Sequence, residues 1–314
     1  MHKILKNTLI GFVVCYGCLQ LSYTLFDIST RQVDRTANPD LGADQKLSRN
    51  PVFLVSYADG HEVYFQNQHA LAQSAINRGI EFILNYRRSH IAPYFYEKHR
   101  AILDEKSGSG YWLWKPYIIL QTMFSVPDGS IIVYADAGAI FTGSLMPILK
   151  HLETYDAIFY RFSAKTNEIL KTTIDFQVAE ELGVTHHQDF ETKTHLWAGF
   201  MIFRNCNATR EFVKNWLELC TNPNFLKGYG KGRHFHDQSL MNIMYLKSSA
   251  NFVALPEDDF RPMLKWQHRP PAEASYSLMP YQQPSMSYYE HKAWRFPPLK
   301  WLRYVLFRGW SSSE

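Results

Sequence analysis

The sequence predicts an α/β protein in which helices cover both faces of a sheet. Short apolar runs typical of buried strands alternate along the chain with segments of helical periodicity. Of the 314 residues, 46% are hydrophobic and 15% are aromatic, which is enough apolar material for one large buried core. The net charge of +4 is too small to indicate nucleic-acid binding.

The N-terminus has the features of a membrane anchor. Residues 4–26 are almost entirely apolar, and their number suits a bilayer span of about 20 residues. Lys3 and Lys6 flank the start of this stretch, so the positive-inside bias predicts a cytoplasmic N-terminus and a translocated body. We therefore predict a single-pass signal-anchor over residues 1–27, with a cleaved signal peptide as the alternative. Residues 28–50 are polar and are predicted to be a flexible stem.

A β-α-β unit is predicted to begin the body of the protein. Residues 52–57 read as a buried strand, and residues 71–76 place their apolar side chains on one helical face. Gly79 then ends this helix, and residues 80–86 read as a second strand. Such a unit predicts a parallel pair of strands with a right-handed crossover.

The rest of the body continues this alternation. After a mostly helical section we predict a strand ending at Asp136, a helix over 145–155, a strand over 156–160, a helix ending near Gly183, a strand over 196–204, a helix around Trp216, a helix over 237–246 and a last strand over 251–255. Residues 256–298 are rich in Pro and Tyr and are predicted to be irregular. The basic aromatic tail, 299–314, would pack on the core or lie on a membrane surface.

Asp136 is the first candidate for chemistry, because it follows the apolar run 131–133. Ligands of open α/β sheets bind beyond the carboxyl ends of the strands. A carboxylate at that edge suits a divalent cation, which prefers oxygen ligands. The alternative is a turn or helix-capping residue without a ligand.

The second candidate is the motif GSGYWLWKPYII, residues 108–119. Its two glycines allow a backbone to approach a ligand closely, and its aromatic residues offer flat faces. Lys115 supplies a point charge suited to a phosphate, and Pro116 fits the first turn of a helix. The alternative is a glycine-rich loop whose aromatic residues belong to the core.

The third candidate is the motif HFHDQSLMN, residues 234–242. Asp237 and Gln238 would stand at the start of a helix and face the site. The alternative is that Asp237 only caps that helix. The two histidines, at i and i+2, do not share a helical face and are a weak metal pair.

These motifs together resemble GT-A-fold glycosyltransferases over roughly residues 51–298. The chain resembles in particular a group in which GYWLWKPYII is followed by a strand ending in YADAG. The strand LWAGFMIFRN is similar to the Ala-Gly strand of glycogenin-like enzymes, and HDQSLMN is similar to their Asp-Gln helix. The resemblance implies a Rossmann-type mixed sheet in a single domain.

The resemblance also implies a metal. Asp136 matches the first Asp of an Asp-x-Asp motif that binds Mn²⁺ or Mg²⁺, but Gly138 stands where the second Asp is expected. A departing nucleoside diphosphate needs its charge stabilised by a metal or by basic side chains. Without a metal, the substitutes would be Lys115, Lys231 and Arg233; with one, His291 or His268 would complete the site.

The function implied is transfer of a sugar from a nucleotide-sugar donor to a hydroxyl of a glycan or glycoconjugate. Asp237 would contact the sugar or act as the general base, and Asp136 would hold the diphosphate. The predicted donor contacts are Tyr57, Ala58, Asp59, Tyr111, Trp114, Lys115, Ala198, Gly199 and Gln238. Two alternatives stay open: a non-catalytic carbohydrate-binding protein on a degenerate transferase fold, and a metal-dependent hydrolase.

Location follows from topology, because sugar nucleotides are made in the cytosol while the body is predicted to cross the membrane. If the chain is eukaryotic, the Golgi lumen satisfies both conditions, because it imports sugar nucleotides from the cytosol and lies across a membrane. Asn207-Ala208-Thr209 fits a lumenal glycosylation site, and Cys206 and Cys220 could pair in an oxidising compartment. In a bacterium the body would instead stay on the cytoplasmic face, against the charge rule.

Overall fold

The structure is a computed structural model that describes residues 50–163 and 168–266. The predicted anchor (1–27), the stem up to residue 49, the tail (299–314) and His268 and His291 all lie outside the described residues. Within the described ranges, the helices are all too short or too polar to cross a membrane.

A six-stranded sheet forms the centre of the protein. Its strands are β1 (Val52–Tyr57), β2 (Phe82–Tyr86), β3 (Ile131–Ala135), β5 (Ala157–Arg161), β6 (Leu196–Arg204) and β7 (Phe252–Pro256), in the order β2-β1-β3-β6-β5-β7. A second, two-stranded antiparallel sheet pairs β4 (Ala139–Phe141) with β8 (Leu264–Trp266).

The central sheet is mixed. Strand β1 pairs in parallel with β2 and β3, which confirms the predicted β-α-β unit. Strand β6 runs antiparallel to both of its neighbours, β3 and β5, while β5 and β7 are parallel. All five residues of β3 are buried, as expected of a central strand whose sequence is a continuous apolar run.

Helices surround the sheet. They are α1 (Glu62–Ser74), α2 (Pro93–Lys98), α3 (Arg100–Leu103), α4 (Gly108–Tyr111), α5 (Trp114–Ser125), α6 (Met146–Leu149), α7 (Leu170–Thr173), α8 (Phe176–Glu181), α9 (Gln188–Thr192), α10 (Asn207–Cys220), α11 (Pro223–Lys227), α12 (Asp237–Lys247) and α13 (Glu257–Phe260), with 3-10 turns at Arg88–His90 and Lys150–Glu153. Helix α10 contacts both α5 and α12 and buries Trp216, whose indole N–H donates to the carbonyl of Asp237 at 2.8 Å. The helices that carry the candidate motifs are therefore packed together.

The structure differs from the sequence-based expectations in two places. Helix α1 ends at Ser74, so Ile76 leaves the predicted apolar face and is 61% exposed. The segment after residue 256 begins with α13 and β8 and not with an irregular loop. Three- and four-residue elements carry too little periodicity to be recognised from sequence.

Two other expectations concern α10. Cys206 caps its start and Cys220 ends it, so a helix rise of about 1.5 Å per residue separates them by about 20 Å. Both thiols are free, since a disulfide needs Cα atoms within about 7 Å. Thr209 of the glycosylation pattern is fully buried and donates to the carbonyls of Arg204 and Cys206.

Candidate active site

Lys115 reaches the site through an unusual turn. Residues 108–112 all have positive φ, a left-handed run that glycine adopts freely and other residues adopt with strain. A Cβ on Gly110 would lie 2.8 Å from the Cα of Leu103, so only glycine fits there. The turn leads directly into α5, and the indole N–H of Trp114 donates back to the carbonyl of Gly108 at 3.0 Å.

The Lys115 ammonium lies between two carboxylates. Its Nζ is 3.3 Å from Oδ1 of Asp136, which follows β3, and 3.1 Å from Oδ2 of Asp237, which begins α12. The side chains of Lys115 and Asp237 are each 4% exposed, whereas that of Asp136 is 24% exposed. Residues from all three sequence motifs therefore meet at one point.

The charges of this cluster depend on one another. Burial alone lowers the pKa of Lys115, but Asp136 and Asp237 outweigh it and raise the pKa above its ordinary value. The pKa of Asp237 is raised from 3.8 to about 6, mainly by burial; Lys115 opposes this rise and Asp136 adds to it. At neutral pH the lysine is thus a cation and Asp237 is an anion with more than ordinary basicity.

Asp136 is held in place by its neighbours. The hydroxyl of Tyr134, on β3, donates to Oδ1 of Asp136, and the backbone N–H of Asp136 donates to the carbonyl of Gly199 at 2.9 Å. Burial raises the pKa of Tyr134 well above its ordinary value, so the phenol stays protonated and remains a donor. The Lys115 Nζ also lies 5.4 Å from the centre of the Tyr134 ring.

At an irregularity in β6, the strand backbone forms a hydrogen bond with α12. The β5–β6 register shifts so that Tyr160 pairs with Trp197 while Phe159 pairs with Met201. The backbone N–H of Ala198 lies within this shift and donates to Oε1 of Gln238 at 3.1 Å. This hydrogen bond fixes the first turn of α12, and therefore Asp237, against the sheet.

A cavity of about 310 Å³ opens over this cluster. Its polar lining consists of Lys115, Asp136, Glu168, His195, Asp237 and Gln238. Its remaining lining consists of Gly199 and the rings of Trp112, Phe162, Trp197, Phe235 and His236. A charged floor below aromatic walls is suited to a polar ligand with sugar rings, which stack on aromatic faces.

Several predicted donor contacts lie away from this cavity. The rings of Tyr57 and Trp114 stack on each other at 3.9 Å and are buried, as are Ala58 and Ala198. Asp59 is buried against Arg88 at 3.4 Å.

Tyr111 also packs within the fold. Its ring contacts His236 at 4.8 Å and the ammonium of Lys227 at 4.8 Å. Of the predicted donor and catalytic residues, the structure brings together Lys115, Asp136, Gly199, Asp237 and Gln238.

The sequence reasoning missed part of the cavity. Trp197 stands two residues before Gly199 on the same face of β6, and a Cβ on Gly199 would lie 2.3 Å from its indole ring. Because residues two apart on a strand share a face, the prediction of Gly199 at the site also pointed to Trp197. No sequence pattern pointed to Glu168. Its carboxylate forms an ion pair with Arg233 at 2.9 Å and lies 3.9 Å from Nε2 of His195. Burial lowers the pKa of His195, so it is neutral at pH 7.

The described residues show no preassembled divalent-cation site at Asp136. Such an ion takes about six or more oxygen ligands, and in nucleotide-binding sites the protein usually supplies one or two carboxylates while waters and substrate phosphates supply the rest. Gly138 supplies none, and across residues 50–163 and 168–266 no group of three or more His, Cys, Asp and Glu could hold an ion. The cation beside Asp136 is Lys115 itself. The predicted ligand His291 lies outside these residues.

Three of the solved structures that match the chain are described as glycosyltransferases. Mouse xyloside xylosyltransferase 1 is 11% identical, with 66% of this chain and 84% of that chain covered and a TM-score of 0.40. A glycosyltransferase involved in glycosylation of the major capsid of PBCV-1 is 9% identical, with 66% and 82% covered and a TM-score of 0.40. The bifunctional glycosyltransferase WbbM is 15% identical over 69% of this chain and 42% of its own, with a TM-score of 0.40.

Sequence comparison gives the family. A search of curated proteins found no match. The sequence profile described as "galactosyl transferase GMA12/MNN10 family" matches residues 48–254, about two thirds of the chain. The mixed six-stranded sheet is consistent with the GT-A fold that the motifs imply. The protein is a glycosyltransferase and belongs to the galactosyl transferase GMA12/MNN10 family.

Proposed function

We propose that this glycosyltransferase binds a nucleoside-diphosphate sugar with the diphosphate at Lys115 and the sugar beside Gly199 and Gln238. The observation that carries the proposal is the buried ammonium of Lys115 at the floor of the cavity, where it meets Asp136 and Asp237. Little water screens this ammonium, and the two carboxylates beside it keep it protonated while offsetting its charge. The close approach of ligand to backbone at Gly199 is possible because the residue has no side chain.

The acceptor would lie against the aromatic walls of the cavity. Trp197, Phe162 and Phe235 line the cavity and offer faces for a sugar ring. The acceptor is therefore proposed to be a glycan or a glycoconjugate. The neutral His195, whose Nδ1 is 3.1 Å from the carbonyl oxygen of Glu168, offers a hydrogen-bonding group at the same wall.

The proposed step moves one glycosyl group. The bond between the anomeric carbon and the diphosphate oxygen breaks, and its electron pair leaves with the diphosphate. The acceptor oxygen bonds to the anomeric carbon and releases its proton to the carboxylate of Asp237. The pKa of about 6 makes this carboxylate a stronger base than an ordinary Asp while leaving it ionised at neutral pH. Lys115 stays protonated and stabilises the departing diphosphate.

A panel of donors tests the proposal. UDP-galactose is the first choice, because the family description names galactosyl transferase, and UDP-glucose and GDP-mannose are the comparisons. We expect one donor to raise the melting temperature and to yield a glycosylated product with an oligosaccharide acceptor. Asp237→Asn should abolish most transfer while the fold is retained. Release of free sugar with no acceptor product would indicate a hydrolase, and glycan binding with no nucleotide binding would indicate a carbohydrate-binding protein.

The membrane anchor over residues 1–27 remains part of the proposal. The enzyme would then act at a membrane surface, in the Golgi lumen if the cell is eukaryotic. Membrane fractionation of the full chain and of a chain lacking residues 1–49 tests this placement. Recovery of the full chain in the soluble fraction would contradict it.

A further inference from the structure

The position of the expected second carboxylate is filled by a tryptophan ring. A Cβ on Gly138 would lie 2.6 Å from Cζ2 and 2.9 Å from Cη2 of Trp266, which is closer than real side-chain contacts. Trp266 belongs to β8, where it pairs with Ala139 of β4, and its ring packs edge-on against Trp197 at 5.2 Å. No side chain therefore fits at position 138 unless this ring moves.

A second carboxylate at position 138 would help to hold a divalent ion. A different cation, Lys115, already lies at the carboxylates of this site. The Lys115 ammonium contacts carboxylate oxygens of Asp136 and Asp237, and the face of Tyr134 lies on another side. An ion that bridged these two carboxylates would have to displace this ammonium, which already contacts both of them. The buried Lys115 is part of the fold, held on the first turn of a helix in which nine of the twelve residues are buried.

We propose that Lys115 is the cation on which the donor diphosphate rests, so that this enzyme transfers sugar without a divalent ion. The inference rests on the proposed function, since it presumes a diphosphate donor. It departs from the Mn²⁺ or Mg²⁺ that the motif resemblance implies. As the anomeric bond breaks, the negative charge gained by the diphosphate is balanced by the lysine charge, which is already present and already positioned.

The wild-type protein gives the first test. Calorimetry measures the affinity for UDP-galactose and the other panel donors, once in excess EDTA and once with millimolar Mn²⁺, alongside transfer rates under both conditions. We expect the affinity and the rate to agree within about twofold between the two conditions. An affinity at least about tenfold tighter with Mn²⁺, or transfer abolished by EDTA and restored by Mn²⁺, would overturn the inference and leave the proposed function intact. If none of the donors binds under either condition, the proposed function fails together with it.

Variants give the second test. In EDTA, Lys115→Met should weaken nucleotide binding at least about tenfold, while Lys115→Arg should retain most of it because the charge remains. Thermal melts report whether each variant is folded. Equal nucleotide binding by folded Lys115→Met and wild type would overturn the inference without any measurement of activity.

Discussion

Asn242 forms hydrogen bonds with both backbone polar groups of Leu196. Its Oδ1 accepts from the N–H of Leu196 at 2.7 Å, and its Nδ2 donates to the carbonyl of the same residue at 3.1 Å. Leu196 begins β6 and Asn242 lies in the middle of α12, so one side chain completes the strand and fixes the helix. With the hydrogen bond from Ala198 to Gln238, two successive turns of α12 are attached to the sheet.

Replacing Asn242 by Leu should therefore destabilise the protein. The change leaves the N–H and the carbonyl of Leu196 buried without these partners, and the free energy of unfolding should fall by about 2–4 kcal/mol. Denaturant titration measures this loss. Gln121→Leu, at an exposed position of α5, is the control and should change stability by less than about 0.5 kcal/mol. Equal stability of the two variants would show that the Asn242 side chain does not support the strand.

The charge state of Asp237 predicts a pH dependence. Burial raises the pKa of this carboxyl to about 6, so the group is protonated below that pH and ionised above it. If the carboxylate accepts the proton of the acceptor, kcat/KM should fall about tenfold per pH unit below about pH 6. Asp237→Asn should lower the rate by a factor of about 10²–10⁴ and remove this acidic limb. A wild-type profile that stays flat from about pH 7 to about pH 5 would argue against Asp237 as the base.

Most of the strands could be predicted from sequence because they are apolar runs bounded by turn residues. The prediction for β6 matched residues 196–204, and those for β1 and β2 were within two residues. The three-residue strands β4 and β8 were not predicted, since an alternating pattern cannot be recognised in three positions. The antiparallel direction of β6 within an otherwise parallel sheet also could not be read, because direction depends on how distant strands pair.

The candidate site, like the sheet, could be predicted only in part from the sequence. Asp136, Lys115 and Asp237 were found because each stands at the end of a strand or the start of a helix, where chemistry-bearing side chains are recognisable. The burial of Tyr57 and Asp59 could not be found, because it depends on Trp114 and Arg88, which approach from other parts of the chain. Burial of this kind is a property of the tertiary packing and not of the local pattern.

Gly199 should be intolerant of a side chain because of Trp197. A Cβ at position 199 would lie 2.3 Å from the indole, so Gly199→Ala should push the ring into the cavity and lower kcat/KM by at least about tenfold. In Trp197→Ala the ring is absent, so adding Gly199→Ala should cost much less than it does in the wild type. Steady-state kinetics on the four proteins of this cycle measure the coupling. Strictly additive losses would mean that the ring and the glycine act independently.

Asp175 organises the loop that leads to α12, although it lies outside the cavity. Its Oδ1 accepts from the N–H groups of Gln177 and Val178, and its Oδ2 accepts from those of Tyr229 and Lys231 at 3.0 and 2.7 Å. The side chain is fully buried, so these four donors depend on one carboxylate.

Asp175→Asn turns one acceptor oxygen into an N–H₂ group that faces backbone donors. The free energy of unfolding should fall by about 2–4 kcal/mol, and hydrogen exchange should speed up at Tyr229 and Lys231 before it does in the central sheet. Asp258→Asn is the matched control, because that side chain is 74% exposed and its ion pair with Arg261 contributes at most about 1 kcal/mol. Because residues 229–236 connect to Asp237, the Asp175 variant should also bind the donor more weakly while Asp258→Asn binds it normally. Loss of stability with unchanged donor affinity would show that the loop is structural and does not position α12.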